Sequence, residues 1–182
     1  MPLTLTRSLL TVLIPGLISI SPWILLLVQH TDATLGFQDY PTLANSLVFA
    51  SAAVAGLFFE AQGTRFEVKW DRELQDVYAV QENWYVYLSQ KIDKEPVAYR
   101  YLSRLVTTLY SELAMIFAAP SFFLGACVLA SVRFSEGSVL FAIAGLAGAV
   151  ASGCYFHRQA KWTHDVICKT RQEVNARIRA VS

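Results

Sequence analysis

Four long stretches of this chain carry no Asp, Glu, Lys or Arg, and that feature limits what it can fold into. Between Arg7 and Asp32 the only ionisable side chain is His30, and the run Leu9 to Val28 is predominantly apolar. As a helix rising 1.5 Å per residue that run reaches about 30 Å, the hydrocarbon thickness of a bilayer. A second stretch lies between Asp39 and Glu60 (Leu43 to Phe59), a third between Glu112 and Arg133, and a fourth between Glu136 and His157 (Val139 to Tyr155). A cleaved signal peptide has an apolar core of about 7–15 residues and a small-residue cleavage site. The first stretch is longer and no such site follows, so it is expected to be a retained span.

The composition agrees. Of the 182 residues 54% are hydrophobic and 16% charged, against about 25% charged in soluble domains. Disorder, which needs low hydrophobicity and high net charge, is excluded. With 15 Lys and Arg against 14 Asp and Glu, no nucleic-acid partner is expected. The expected fold class is an all-α integral membrane protein of four transmembrane helices, whose inner ends extend into a cytoplasmic helical bundle.

Loop charge sets the orientation. Arg7 precedes the first stretch; Arg65, Lys69, Arg72, Lys91, Lys94, Arg100 and Arg104 lie between the second and third; Arg158, Lys161, Lys169, Arg171, Arg177 and Arg179 follow the fourth. Only Arg133 is left for the opposite side. Basic residues are retained in the cytoplasm, which puts both termini inside, with the bacterial inner (plasma) membrane as the expected location. Cys127, Cys154 and Cys168 make an odd number in or beside the membrane on that reducing side, which argues against structural disulfides.

The polar segments also read as helix. Phe66–Lys91 has no Gly or Pro, and Trp70, Leu74, Val77, Gln81, Trp84 and Leu88 recur at alternating spacings of 4 and 3, a heptad seam. Such a seam needs a partner, either a neighbouring helix of the same chain or a second copy. Asp93-Lys94-Glu95-Pro96 is the turn signal, and from Val97 to Val132 the only strong breaker is Pro120. The organisation expected is a first transmembrane hairpin over 1–62, a cytoplasmic helical hairpin over 63–104, a second transmembrane hairpin over 105–156 and a basic amphipathic tail helix over 157–182. A shift of 92 residues lays Ala52 on Ala144, Gly56 on Gly148 and Lys69-Trp70 on Lys161-Trp162, consistent with a tandem repeat of hairpin plus amphipathic helix.

Several residues within or beside the spans carry potential chemistry. Pro15 and Pro22 in the first and Pro120 in the third interrupt helical hydrogen bonding, as in pore-lining or binding helices, or simply kink the packing. Ser19 and Ser21 lie beside those prolines, and Asn45 lies in the second span. Glu60 and Glu112 sit at membrane boundaries, where a carboxylate is costly and needs water or a partner. In a ring of subunits Glu112 would form a cation-attracting collar; in isolation it would pair with Arg104 or Arg65. Ala52 with Gly56, and Gly145 with Ala149 and Gly153, form small-residue faces suited to close helix contact. His164 and Cys168 are four apart, with His157 seven before His164. Without further ligands in the sequence they are read as surface residues, and neither metal nor cofactor is assigned.

There is no G-x-S-x-G, H-E-x-x-H, P-loop or dinucleotide fingerprint, so no enzyme is expected. The leading expectation is an oligomeric ion channel or pore, with proline-interrupted helices and an acidic residue near the cytoplasmic mouth. The alternative is a non-catalytic scaffold or assembly subunit that binds a cytoplasmic or membrane partner through its aromatic bundle. A cofactor carrier built on His157, His164 and Cys168 is the remaining reading. The expected partners are the lipid bilayer, further copies of the chain and a cytoplasmic protein.

Overall fold

The computed structural model describes residues 9–30, 39–89, 97–134 and 138–181, and every regular element among them is helical. Arg7 and the turn Asp93–Pro96 lie outside the described residues, as does the side chain of Leu88. A π-helical turn at Leu9–Leu13 leads into α1 (Ile14–His30), followed by α2 (Pro41–Tyr78), α3 (Val80–Ser89), α4 (Val97–Arg133) and α5 (Ser138–Val181). The wide turn runs directly into Pro15, the second residue of α1, where a missing backbone N–H is tolerated. Pro22 and Pro120 sit inside α1 and α4, and both helices continue through them.

The four stretches lie on four helices long and apolar enough to cross a membrane. Three of these helices are far longer than a bilayer requires. The 38 residues of α2 extend about 57 Å and the 44 of α5 about 66 Å. Each therefore has an apolar half and a polar half, and the boundaries drawn at 62, 104 and 156 fall inside unbroken helices. A change of side-chain polarity does not break a backbone; only Gly, Pro or a competing cap does.

The contacts give the packing order. Gly16 meets Ala52 and Gly56 meets Val12, so position rises on α1 as it falls on α2, and the pair is antiparallel. Gly145 meets Cys127, Gly148 meets Phe123 and Gly153 meets Pro120, so α4 and α5 are antiparallel too. Phe59 stacks on Phe117 and Gly63 abuts Leu113, which sets α2 against α4 in the same sense. α4 is central, packed on α1, α2 and α5.

The two halves are built inside out relative to each other. In the apolar halves large side chains point away from the protein: Leu47 is 60% exposed, Val54 68%, Val139 70% and Ile143 62%. In the polar halves Lys69, Arg72, Glu73, Arg158, Lys161 and Lys169 are exposed or half-exposed, while Trp70, Leu102, Leu109, Ala160 and Ile167 are buried in a core that continues through Leu113 and Ile116 into the apolar half of α4.

The heptad seam does not run through. α2 ends at Tyr78, and Ala79 adopts the left-handed conformation (φ 45°, ψ 55°) before α3 begins. The polar groups freed by this break find partners nearby. The Ala79 N–H donates to the Gln75 carbonyl at 2.9 Å, the Gln75 side-chain oxygen accepts the Gln81 N–H at 3.1 Å, and Asn83 Nδ2 donates to the Tyr78 carbonyl at 2.6 Å. The break re-aims the stripe. Trp70 is 2% exposed and Leu74 half-buried, but Val77 is 62% exposed and Trp84 38%, lying under the Arg171 guanidinium at 4.4 Å.

Candidate functional site

The polar halves of α2 and α5 lie side by side with position rising together on both. Phe66 meets His157, Trp70 meets His164, and beyond the break Asn83 on α3 meets Asn175. This near-constant offset is the register of two parallel neighbours, and it coincides with the 92-residue shift that resembles a repeat. The aligned tryptophans differ in environment, Trp70 being 2% exposed and Trp162 61%.

At the centre of this pairing is a buried polar cluster. His164 is 2% exposed and Cys168 3%, so both lie inside and not at the surface as their spacing alone implied. His164 Nε2 lies 2.8 Å from Asp71 Oδ1 and 4.0 Å from Cys168 Sγ, while its Nδ1 is buried with no hydrogen-bond partner among the described residues. Burial opposes a charge on His164, but the hydrogen bonds to Asp71 and Cys168 outweigh it and push the pKa from 6.5 up to about 9. Glu67, one turn before Asp71, is pushed up by burial and then by the Asp71 charge, with the Tyr110 hydroxyl acting in the opposite direction. The Trp70 indole lies between two imidazoles, 5.4 Å from His157 and 5.8 Å from His164, and Phe66 packs edge-on against His157 at 5.3 Å. His157 is thus part of the aromatic packing.

Glu112 lies on α4 facing α5, where Thr163 and Gln159 donate side-chain hydrogen bonds to it. It is 9% exposed, and Oε2 has no hydrogen-bond partner among the described residues. The expected pairing with Arg104 or Arg65 is not among the described ion pairs, which join Lys161 to Glu73 and His164 to Asp71.

The other candidates are dispersed. Ser19 is fully buried, and its hydroxyl donates to the Gly16 carbonyl at 2.8 Å; Ser21 does the same to Ile18 at 3.0 Å. Pro15 and Pro22 are buried, Pro22 against Gly125, and Pro120 is half-buried beside Gly153. Asn45 is exposed on α2, and Glu60 is half-buried and has a partner. Ala52 and Gly56 pack on α1, and Gly145 and Gly153 on α4, with Ala149 buried between them in sequence. A side chain on Gly16 or Gly56 would collide with the facing backbone carbonyl, so this contact needs hydrogen in place of a methyl group.

Asp71 is what sequence reading missed. It is one of several acidic residues in a charged segment, and only the α2–α5 register distinguishes it. No known family, curated protein or solved structure matches the chain.

Proposed function

We propose that the chain is an integral membrane assembly subunit that works as a homo-oligomer. The apolar halves sit in the bilayer. The basic residues of the polar halves hold both termini and the extended bundle in the cytoplasm. The observation that carries this reading is apolar exposure beyond the reach of lipid. Val77 (62% exposed) and Tyr101 (50%) lie on polar-half segments more than a turn away from the nearest apolar stretch, where water is the alternative to a partner. A second copy of the chain would cover them. The dispersal of the serines and prolines, which bond or pack within the subunit, supports assembly over conduction through a single chain.

The test is the mass of the purified protein in detergent, with photocrosslinkers at positions 77 and 101. The expected result is a defined oligomer crosslinked through both positions. A monomer over a wide concentration range, with no crosslinks, overturns the reading.

One observation favours an oligomeric ion channel as the second reading. Among the described residues Glu112 has a carboxylate oxygen with no hydrogen-bond partner, beside the apolar half of α4, and a ring of such groups would attract cations. Purified protein in planar bilayers then conducts, and Glu112→Gln changes its selectivity. A silent bilayer eliminates this reading and leaves assembly intact.

A further inference from the structure

We propose that Asp71, His164 and Cys168 form a binding site for a divalent transition metal ion of the Zn2+ type. The site goes beyond the assembly reading and does not depend on it.

Residues four apart share a helix face, so His164 and Cys168 on α5 face the same neighbour. α2 supplies Asp71 opposite them. The carboxylate oxygen, imidazole nitrogen and thiol sulfur of Asp71, His164 and Cys168 lie within 4.8 Å of one another. Around a tetrahedral ion with bonds of about 2.0–2.3 Å, such atoms stand roughly 3.3–3.8 Å apart. The present distances of 2.8 Å from His164 to Asp71 and 4.0 Å from His164 to Cys168 bracket that range. Small side-chain rotations convert one arrangement into the other.

The donor set matches the metal class. Imidazole and thiolate select Zn2+ and its borderline neighbours over Mg2+ or Ca2+, which require oxygen. The Asp71 side chain is 40% exposed and His164 only 3%, so an ion can enter from the carboxylate side and settle on a buried N/S pair.

A second observation fixes the character of the site. His164 Nδ1 is buried without a hydrogen-bond partner among the described residues, whereas a permanently metallated histidine usually anchors its second nitrogen on a carboxylate or carbonyl. Lacking that brace, the site is expected to hold its ion about 10–100-fold less tightly than a fully supported one, so the metal exchanges. Binding would clip α2 to α5 below their apolar halves.

Cobalt titration of the chelator-stripped full chain in detergent tests this. Co2+ should bind saturably, with a thiolate charge-transfer band in the near ultraviolet and visible bands of tetrahedral intensity, and Zn2+ should displace it. Cys168→Ser should abolish the near-ultraviolet band, and Asp71→Asn should weaken binding by at least about tenfold. Cys154→Ser, which alters an exposed thiol, should leave the spectrum unchanged. Should Cys168→Ser fail to fold, by circular dichroism, Asp71→Asn at the half-exposed carboxylate decides. Absence of saturable binding, unchanged affinity in Asp71→Asn, or a band lost with Cys154 in place of Cys168 overturns the proposal.

Discussion

His164 Nε2 and Asp71 Oδ1 meet at 2.8 Å across two helices that run in the same direction, ninety-three positions apart in the chain. One partner is inaccessible and the other half-open, so the contact is sheltered enough to hold a proton on the imidazole. Cys168 and Glu67 add negative character around it when ionised, and the Arg171 charge opposes the upward push on Glu67.

The first prediction concerns pH in the metal-stripped protein. The His164 pKa is raised from 6.5 to about 9 in the folded state. The folded state therefore binds the proton more tightly than the unfolded one, and the resulting stability is complete below about pH 6.5 and lost as pH rises through about 9. The raised pKa of Glu67 has the same sign, since its neutral form fits the fold better. Thermal unfolding in detergent should give a falling melting temperature between neutral pH and pH 9, and Asp71→Asn should flatten the curve. A curve unchanged by that substitution refutes the assignment.

Ala79 is the second test. A non-glycine residue in the left-handed region costs roughly 1–2 kcal/mol, and Ala79 has φ 45°. Ala79→Gly should stabilise the chain by about 1 kcal/mol, seen as a raised unfolding midpoint. Ala79→Val should lower it.

Gly56 carries the third. Gly56→Leu would drive a side chain into the Val12 carbonyl and should cost at least about 1–3 kcal/mol. Leu146→Ala is the control: Leu146 is 60% exposed on the outer face of α5, and its change should stay within about 0.5 kcal/mol. Equal effects in a detergent-denaturation assay would contradict the packing.

The fourth concerns α3. Asn175, 1% exposed, donates through Nδ2 to the Asn83 carbonyl at 2.9 Å and to Asn83 Oδ1 at 3.1 Å. Asn175→Ala removes both bonds and should cost about 1–3 kcal/mol. The loss should be local, detected as faster proteolysis between Val80 and Ser89 and as a changed Trp84 emission. An unaltered cleavage pattern would mean that α3 is held by other contacts.

Much of the architecture was legible because it follows from solvent preference. A charge-free run of twenty residues has few folded solutions, and α1, α2, α4 and α5 carry the four stretches as expected. The break at Ala79 was not legible. No Gly or Pro marks it, and its caps, Gln75 and Asn83, read as ordinary helix residues until their bonds are seen. The polar cluster was half legible: the spacing of His164 and Cys168 was visible, but not their burial, because Asp71 and Trp70 arrive from another helix.

Of the helices that join the two halves, α5 runs from Ser138 to Val181 and α4 from Val97 to Arg133 with no joint, whereas α2 gives way to α3 at Ala79. A twist begun at the Ser138 end would be carried along the continuous rod of α5 towards Asn175, while the adjoining strut bends at its elbow.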